Sequence, residues 1–420
     1  MTDVNERATQ DSAAPIDVVD PRLLIREQGV RGYLEVFRRR VRGGELGSLP
    51  VIVGLVIIFV VFQSLNDRFL SAANLSDLTL QIAATGVISV GIVLVLLLGE
   101  IDLSVGSVSG LSAAVLAVLN INQGMPAVLA VVLAVLVGTA IGLFHGYVFA
   151  IIGVPAFVVT LAGLIGWLGL QLYVLGKQGT INFPYNGGVA KLTHSELPAA
   201  LGYALGVVVV GLYLLSALVY DRRRAAAGLP SRPVTETALR VALLAICVFV
   251  AIYVLNQAEG VPLALVIFVG LVVAFDLMLR KTRYGRSIFA VGGNVEAARR
   301  AGINVAWIRI SVFMLCSSLA AFGGVLAASR LYAANQSSGG SDVLLNAIAA
   351  AVIGGTSLFG GRGSTYSALL GMLVIGSITN GMFLLDVDSS VRFMVTGAVL
   401  LAAVVLDSLS RRGRQASGRA

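Results

Sequence analysis

The sequence predicts an all-α, polytopic integral membrane protein, and two features of its composition carry that prediction. Apolar residues occupy 57% of the 420 positions and charged residues only 12%, whereas about a quarter of the residues in a soluble domain are charged. The apolar residues are gathered in runs of about 20, the length at which a helix crosses the hydrocarbon core of a bilayer. We therefore expect membrane lipid to be the main solvent of a single helical domain.

Twelve apolar segments are candidates for spanning helices. They lie at about 50–66, 78–98, 103–120, 126–151, 155–175, 198–219, 239–256, 261–279, 307–329, 342–358, 365–385 and 391–408. Several of them are short or rich in glycine, a composition typical of half-helices and re-entrant segments. The expected number of transmembrane helices is therefore ten to twelve.

The distribution of positive charge predicts how these helices are oriented. If twelve helices start from a cytoplasmic N-terminus, all but five of the 30 Lys and Arg residues fall on the cytoplasmic side. The five exceptions are Arg68, Lys177, Lys191, Arg330 and Arg392. Since loops rich in Lys and Arg stay in the cytoplasm, both termini are expected there. The net charge of +8 thus indicates membrane orientation and not nucleic-acid binding.

Polar segments flank the membrane domain, which is expected at 50–410. Residues 1–49 form a cytoplasmic N-terminal tail, and residues 411–420 form a cytoplasmic C-terminal tail. Within the first tail, Leu23 to Arg42 fits either an interfacial amphipathic helix or a solvated basic segment.

The longest basic stretch between apolar segments is 280–306. A helix is expected from Val295 to Ala301, since a Gly-Gly-Asn sequence precedes it and Gly302 follows it. A short cytoplasmic helix that carries Arg299 and Arg300 is suited to contact another protein.

The sequence lacks the common motifs of catalysis. It contains no GxxxxGK[ST] phosphate loop, no HExxH zinc motif and no paired cysteines. We therefore expect no catalytic residue, no metal site and no cofactor in this chain. Acids and histidines inside the apolar segments are scarce, which argues against an ion-coupled carrier.

Acidic residues interrupt an apolar stretch in the sequence LLLGEIDLSVGSVSG, residues 96–110. In one interpretation, Asp102 or Ser104 caps the second helix of a tight cytoplasmic hairpin. In the other, the segment is a broken helix whose Glu100 and Asp102 line or brace a polar pathway. The sequence leaves both interpretations open.

A second interruption, VIGGTSLFGGRGS, has a similar pattern and contains Thr356 and Ser357. We expect 99–107 and 354–364 to be corresponding elements of an internal repeat. Asn380 adds a polar amide within a later apolar segment. Such neutral groups suit an uncharged, hydroxyl-rich solute, but they also stabilise contacts between helices in lipid.

Three motifs, GEIDLSVGSVSG, GRSIFAVGGNVEAARRAGINV and IGGTSLFGGRGS, occur in this order in the chain. With them the sequence resembles the permease subunits of bacterial monosaccharide importers of the ATP-binding cassette (ABC) class, the ribose, xylose and galactose type. It is most similar to xylose permease subunits, and the resemblance covers about residues 50–410. The Arg222-Arg223-Arg224 loop and the apolar runs around it, 198–256, look like a two-span insertion that xylose-type subunits share.

The resemblance implies a permease like those of type II ABC importers, located in the bacterial cytoplasmic (inner) membrane and without enzymatic activity of its own. It implies a homodimer of this chain, a separate ATPase that binds ATP and Mg²⁺ on the cytoplasmic face, and an extracytoplasmic sugar-binding protein. Residues that match the family's ATPase-coupling element are Glu296, Ala297, Ala298 and Gly302. The whole expected coupling site is Asn294, Glu296, Ala297, Ala298, Arg299, Arg300 and Gly302.

The expected solute is a monosaccharide, with D-xylose favoured by kinship. Its pathway is expected at the dimer interface, near Glu100, Asp102, Ser104, Thr356, Ser357 and Asn380. Within the same family, ribose, galactose and branched-chain amino acids are alternative solutes. From other classes, the alternatives are an ion-coupled secondary carrier and a membrane scaffold without transport.

Overall fold

A computed structural model describes residues 49–229 and 233–416, and most of them are helical. The chain divides into two compact units. The smaller unit contains the described part of residues 205–248, and the larger unit holds the other described residues. The predicted amphipathic segment Leu23–Arg42 lies outside the described residues.

The α-helices are numbered here in chain order. They are α1 (Leu49–Leu65), α2 (Ala72–Leu97), α3 (Val105–Ala117), α4 (Ala127–Tyr147), α5 (Ala156–Leu175), α6 (Lys191–His194), α7 (Ala199–Ala226), α8 (Val234–Asn256), α9 (Leu263–Lys281), α10 (Arg283–Gly293), α11 (Val295–Arg300), α12 (Val305–Leu331), α13 (Ser341–Ile353), α14 (Tyr366–Leu384) and α15 (Ser389–Ala416). Short π-helical or 3₁₀ turns prolong three of them: Val118–Asn122 after α3, Val148–Ile152 after α4 and Gly176–Gln178 after α5.

The predicted all-helical membrane fold is confirmed, because each of the twelve apolar segments forms a helix. Among the described residues, nine helices are long and apolar enough to cross a membrane: α2, α3, α4, α5, α7, α8, α9, α12 and α14 with their helical extensions. The apolar parts of α1, α13 and α15 are shorter. Helix α15 continues to Ala416 and so enters the segment 411–420 that was expected to be a tail.

Helix α2 lies at the centre of the larger unit. All its residues from Gly86 to Leu97 are buried, and it packs against α9, α12, α13 and α14. A hydroxyl in such a position needs a hydrogen-bond partner inside the protein. Ser89 finds one in the carbonyl oxygen of Ala347, 2.9 Å away, and this bond ties α2 to α13.

Helices α4 and α12 touch through their backbones. Gly138, Gly142 and Gly146 lie four residues apart on one face of α4. A Cβ atom would lie 2.7 Å from the Cα of Met314 if added to Gly142, and 2.7 Å from the Cα of Ile310 if added to Gly146. This is the close packing of small residues that holds helices together in lipid.

Two small antiparallel sheets join the connections between helices. Strand β1 (Thr180–Asn182) pairs with β4 (Ala333–Asn335), and β2 (Glu196–Leu197) pairs with β3 (Val261–Pro262). The first sheet thereby ties the connection that follows α5 to the connection that follows α12.

The smaller unit contains most of α7 and α8. The predicted Arg222-Arg223-Arg224 loop is wrong, since these residues lie in the last turns of α7. Arg is a good helix former, and cations near a helix C-terminus interact favourably with the helix dipole. Nearby, the hydroxyl of Thr237 on α8 donates to the carboxylate of Asp221 on α7 at 3.2 Å.

The packing of α4 on α12 predicts that Gly142→Leu destabilises the protein. The new side chain would be forced against the backbone of α12, and such over-packing costs about 1–3 kcal/mol. Gly270→Leu on α9 is the matched control, because a Cβ atom there meets nothing within 4 Å. Unfolding of the detergent-solubilised variants measures the difference, and equal stability of the two would contradict the backbone contact.

Candidate functional site

The first break in the helices is the segment 98–104, between α2 and α3. Gly99 adopts a left-handed φ of +81° and ends α2. Asp102 is fully buried, and its Oδ1 accepts hydrogen bonds from the backbone N–H of Ser104 at 2.9 Å and from the Ser104 hydroxyl at 2.6 Å. Asp102, and not Ser104, therefore satisfies the backbone at the start of α3. The other oxygen, Oδ2, has no nitrogen or oxygen donor among the described residues, and the buried thiol of Cys316 is a hydrogen-bonding neighbour of the Asp102 side chain.

Glu100 lies in the partly exposed portion of the first break. Its Oε1 is 3.6 Å from a guanidinium nitrogen of Arg309 on α12. Burial raises the pKa of Glu100 above its ordinary value, and the positive charge of Arg309 acts in the opposite direction. The guanidinium of Arg309 also lies 4.6 Å from the ring centroid of Phe149, so it interacts with both the carboxylate and the aromatic ring.

Hydrogen bonds continue from the first break to α4 and α5. The indole N–H of Trp167 donates to Nε2 of His145 at 2.9 Å. Because an indole nitrogen can only donate, Nε2 is the acceptor, and the proton of the neutral imidazole is on Nδ1. That Nδ1 lies 3.4 Å from the hydroxyl oxygen of Ser104. A chain of polar contacts therefore runs from Trp167 through His145 and Ser104 to Asp102.

The second break is the segment 332–340, between α12 and α13. Its backbone is folded by a turn in which the N–H of Ser338 donates to the carbonyl of Asn335 at 3.1 Å. Gln171 of α5, which is fully buried, donates from its side-chain nitrogen to the carbonyl oxygens of Asn335 and Ser338, both at 3.0 Å. The sequence did not predict this break, because its Ser and Gly residues are typical of an ordinary loop.

The two breaks meet where α3 and α13 begin. A Cβ atom on Gly106 would lie 2.7 Å from the carbonyl oxygen of Gly339, and one on Gly339 would clash with the carbonyl of Gly106. Each break follows a long helix, of 26 or 27 residues, and precedes a helix of 13 residues. By the lengths of the flanking helices, the second break matches 99–107 better than 354–364 does, since 354–364 follows a helix of 13 residues. The correspondence of 99–107 with 354–364 stays a prediction.

The glycine loop, residues 354–365 between α13 and α14, packs against the end of α2. The N–H of Gly361 donates to the carbonyl of Leu97 at 2.9 Å. A Cβ atom on Gly292, near the end of α10, would clash with the same carbonyl. The glycine loop, the end of α2 and the end of α10 therefore meet at one point.

Four of the six predicted pathway residues are buried: Asp102, Ser104, Thr356 and Asn380. Asn380 on α14 exchanges two hydrogen bonds with Asn74 on α2, at 2.8 and 3.0 Å, and so forms a contact between helices. Glu100 and Ser357 are partly exposed. The pathway role of all six stays a prediction.

The basic stretch 280–306 contains two helices, α10 and α11. The sequence predicted α11, whose start is capped by Asn294 through a 2.9 Å bond from the N–H of Ala297. Helix α10 was missed, although Gly285, Ile288 and Val291 are buried on one face at the spacing of a helix. That spacing was the signal in the sequence.

The expected coupling residues present charge to solvent. The carboxylate of Glu296 lies 2.8 Å from a guanidinium nitrogen of Arg299, and both side chains are more than 60% exposed. Ala298 is buried, whereas the other coupling residues are exposed: Asn294, Glu296, Ala297, Arg299, Arg300 and Gly302. Their role in coupling stays a prediction.

Comparisons with known proteins identify the family of the chain. A family model described as the permease component of branched-chain amino acid transport systems matches residues 74–404. The xylose transport system permease protein XylH of Escherichia coli K12 is 38% identical over 363 residues, which cover 86% of this chain and 92% of the relative.

Further relatives agree with this assignment. XylH of Haemophilus influenzae is 34% identical over 86% of this chain and 96% of its own length. The ribose import permease protein RbsC of Bacillus subtilis is 31% identical over 87% of this chain and 94% of its own length. No solved structure matches the chain. With a family match over most of its length, the chain belongs to the permease family of branched-chain amino acid transport systems, whose members include sugar import permeases.

Proposed function

We propose that this chain is the membrane permease subunit of an ABC importer for a monosaccharide, with D-xylose as the favoured solute. The similarity to XylH over 86% of the chain is the observation that carries the proposal. The ribose permeases among the relatives support the broader solute class. The subunit catalyses no reaction and depends on partner proteins for energy.

The proposed assembly contains two copies of the chain, two ATPase subunits and an extracytoplasmic sugar-binding protein. ATP and Mg²⁺ bind to the ATPase and not to this chain. The charged surface of α11 supports an ATPase contact, since Glu296, Arg299 and Arg300 are exposed on a short helix. The Lys and Arg distribution supports a cytoplasmic location for this helix and for both termini.

The contact of α10 with α2 supplies a route for mechanical coupling. When the ATPase displaces α10 and α11, Gly292 pushes on the carbonyl group of Leu97, against which it is packed. The hydrogen bond from Gly361 to the same carbonyl passes this displacement to the glycine loop. The end of α2, where Leu97 lies, passes it to the first break. Packed backbones transmit such a shift because they have little room to deform independently.

The proposed pathway passes close to the first break and the glycine loop, between two copies of the chain. Thr356 Oγ1 is buried and has no hydrogen-bond partner among the described residues, and Asp102 Oδ2 has no nitrogen or oxygen donor there, its neighbour being the thiol of Cys316. Buried polar atoms of this kind usually have a partner. When the pathway opens, the hydroxyl groups of a sugar can supply the missing hydrogen bonds.

Uptake of labelled solutes tests the proposal directly. Proteoliposomes that contain this chain with its ATPase and binding protein are expected to accumulate D-xylose only when ATP is present. Ribose, galactose and leucine serve as competitors, and competition by ribose or galactose would widen the solute class within monosaccharides. Uptake of leucine without any uptake of sugars would contradict the assigned solute class. Uptake by this chain alone, driven by an ion gradient, would contradict the ABC assignment.

Glu296→Arg is expected to abolish the stimulation of ATPase activity by the sugar-loaded binding protein. The substitution reverses a charge on the surface proposed to face the ATPase, and loss of the exposed pair with Arg299 costs at most about 1 kcal/mol of stability. Asp388→Arg makes the same change in an exposed connection between α14 and α15 and is expected to keep the stimulation.

The ATPase rate of the reconstituted complex, with and without loaded binding protein, is the measurement. Equal stimulation in Glu296→Arg and the unmodified complex would remove α11 from the coupling site. Size-exclusion chromatography of the complex separates a loss of coupling from a loss of assembly.

A further inference from the structure

One face of α5 reaches both breaks. Thr160, Gly163, Trp167 and Gln171 follow one another at intervals of three, four and four residues, and this spacing places them along a single face of the helix. The rise of a helix is 1.5 Å per residue, so about 16 Å separate Thr160 from Gln171 along the axis. This face of α5 is close to half the thickness of the hydrocarbon core in length.

Residues in the N-terminal half of this face contact the first break, either directly or through His145. The hydroxyl of Thr160 lies 3.4 Å from the carbonyl oxygen of Ile101 and 3.3 Å from that of Phe157 in its own helix, so its one hydrogen is shared between these two acceptors. Trp167 donates to His145, which contacts Ser104 at the start of α3. Gly163 makes room for this arrangement, because a Cβ atom there would lie 2.6 Å from Nε2 of His145 and 3.0 Å from the indole nitrogen.

The C-terminal end of this face is hydrogen-bonded to the second break. Gln171 donates to two carbonyl groups of the turn, those of Asn335 and Ser338. Helix α3 also contacts this point, since a Cβ atom on Gly110 would clash with the side-chain oxygen of Gln171. Gln171 thus touches the second break and the helix that follows the first break.

The opposite face of α5 has no such contacts among the described residues. Cβ atoms added to Gly166 or Gly169 meet nothing within 4 Å. On the same side, Ile165 is 69% exposed and Tyr173 is 83% exposed. The polar contacts of α5 with the two breaks are therefore concentrated on one side of the helix.

We propose that α5 is a brace that makes the two breaks move together, with Trp167 and Gln171 as positioning residues. The importance of the brace for alternating access rests on the proposed transport function. In lipid, the backbone groups of a broken helix need partners inside the protein. Gln171 supplies two such partners at the second break, and Trp167 acts on the first break through His145 and the side chain of Ser104. A displacement of the first break is thus passed through α5 to the second break.

The brace is tested by changing one break and observing the other. The full-length chain carries Cys247→Ser and Ser337→Cys and is placed in nanodiscs, where a water-soluble maleimide reaches both faces. Cys316 is fully buried, and Ser337 is an exposed residue of the second break. Gly163→Ala then disturbs the contact between Trp167 and His145, while Gly166→Ala changes the open face of the same helix.

Gly163→Ala is expected to change the labelling rate of Ser337→Cys by about threefold or more, as local opening of the second break becomes easier. Gly166→Ala is expected to leave the rate within about twofold of the parent. In the reverse direction, Gln171→Met is expected to change the labelling of Ile101→Cys at the first break. Gln171→Met removes the two hydrogen bonds that Gln171 donates, at nearly constant side-chain volume. It is the test variant to use if Gly163→Ala does not fold.

The brace is rejected if each variant changes the labelling of its own break and leaves the distant break unchanged, or if neither break responds. A lower yield with unchanged labelling at the distant break also rejects it, because a merely structural contact behaves in that way. The labelling needs no sugar and no ATPase. If the breaks respond together but the complex fails to transport sugar, the proposed function fails and the brace stands.

Discussion

Backbone N–H and C=O groups that are buried away from water need hydrogen-bond partners inside the protein, and this constraint governs the arrangement around the two breaks. A continuous helix satisfies its own backbone, but each break leaves groups that need other partners. Asp102 supplies an acceptor at the first break and Gln171 supplies two donors at the second. Buried polar side chains thus serve the backbone where the helices are interrupted.

The same region connects these interruptions to the surface of the protein. Gly292 brings α10 against the end of α2, and Gly361 brings the glycine loop to the same carbonyl of Leu97. Helix α11 follows directly with its exposed charges. The proposed function requires a short path from the proposed docking surface to the proposed pathway, and these contacts between backbones would provide one. Side chains at Gly292 or Gly361 would push these elements apart.

The apolar runs were sufficient to predict the helices, because length and hydropathy alone decide whether a segment can cross a membrane. Glu100 and Asp102 also marked the first break, since acids are costly inside an apolar segment. The second break has no comparable signal. Its Gln, Ser and Gly residues fit a surface loop equally well, and only the position of Gln171 shows that the turn is held inside the protein.

Single polar residues were harder to interpret than acids. Trp167 and Gln171 each lie within an apolar segment, where the sequence does not say whether they face lipid, solute or another helix. Asn380 resembled a pathway residue in the sequence, yet its amide is paired with Asn74. Hydrogen bonds between residues far apart in the chain decide these roles, and one sequence contains no record of them. The structure therefore adds most at the breaks.

Hydrogen exchange of the breaks in the assembled complex tests the central claim most directly. Amides of residues 102–106 and 335–341 are expected to exchange slowly in the absence of ATP, as do those of the flanking helices, because their backbone is held from inside the protein. Addition of ATP is expected to change the protection of both segments together. Fast exchange at either break without ATP, or a change confined to one of them, would contradict the account.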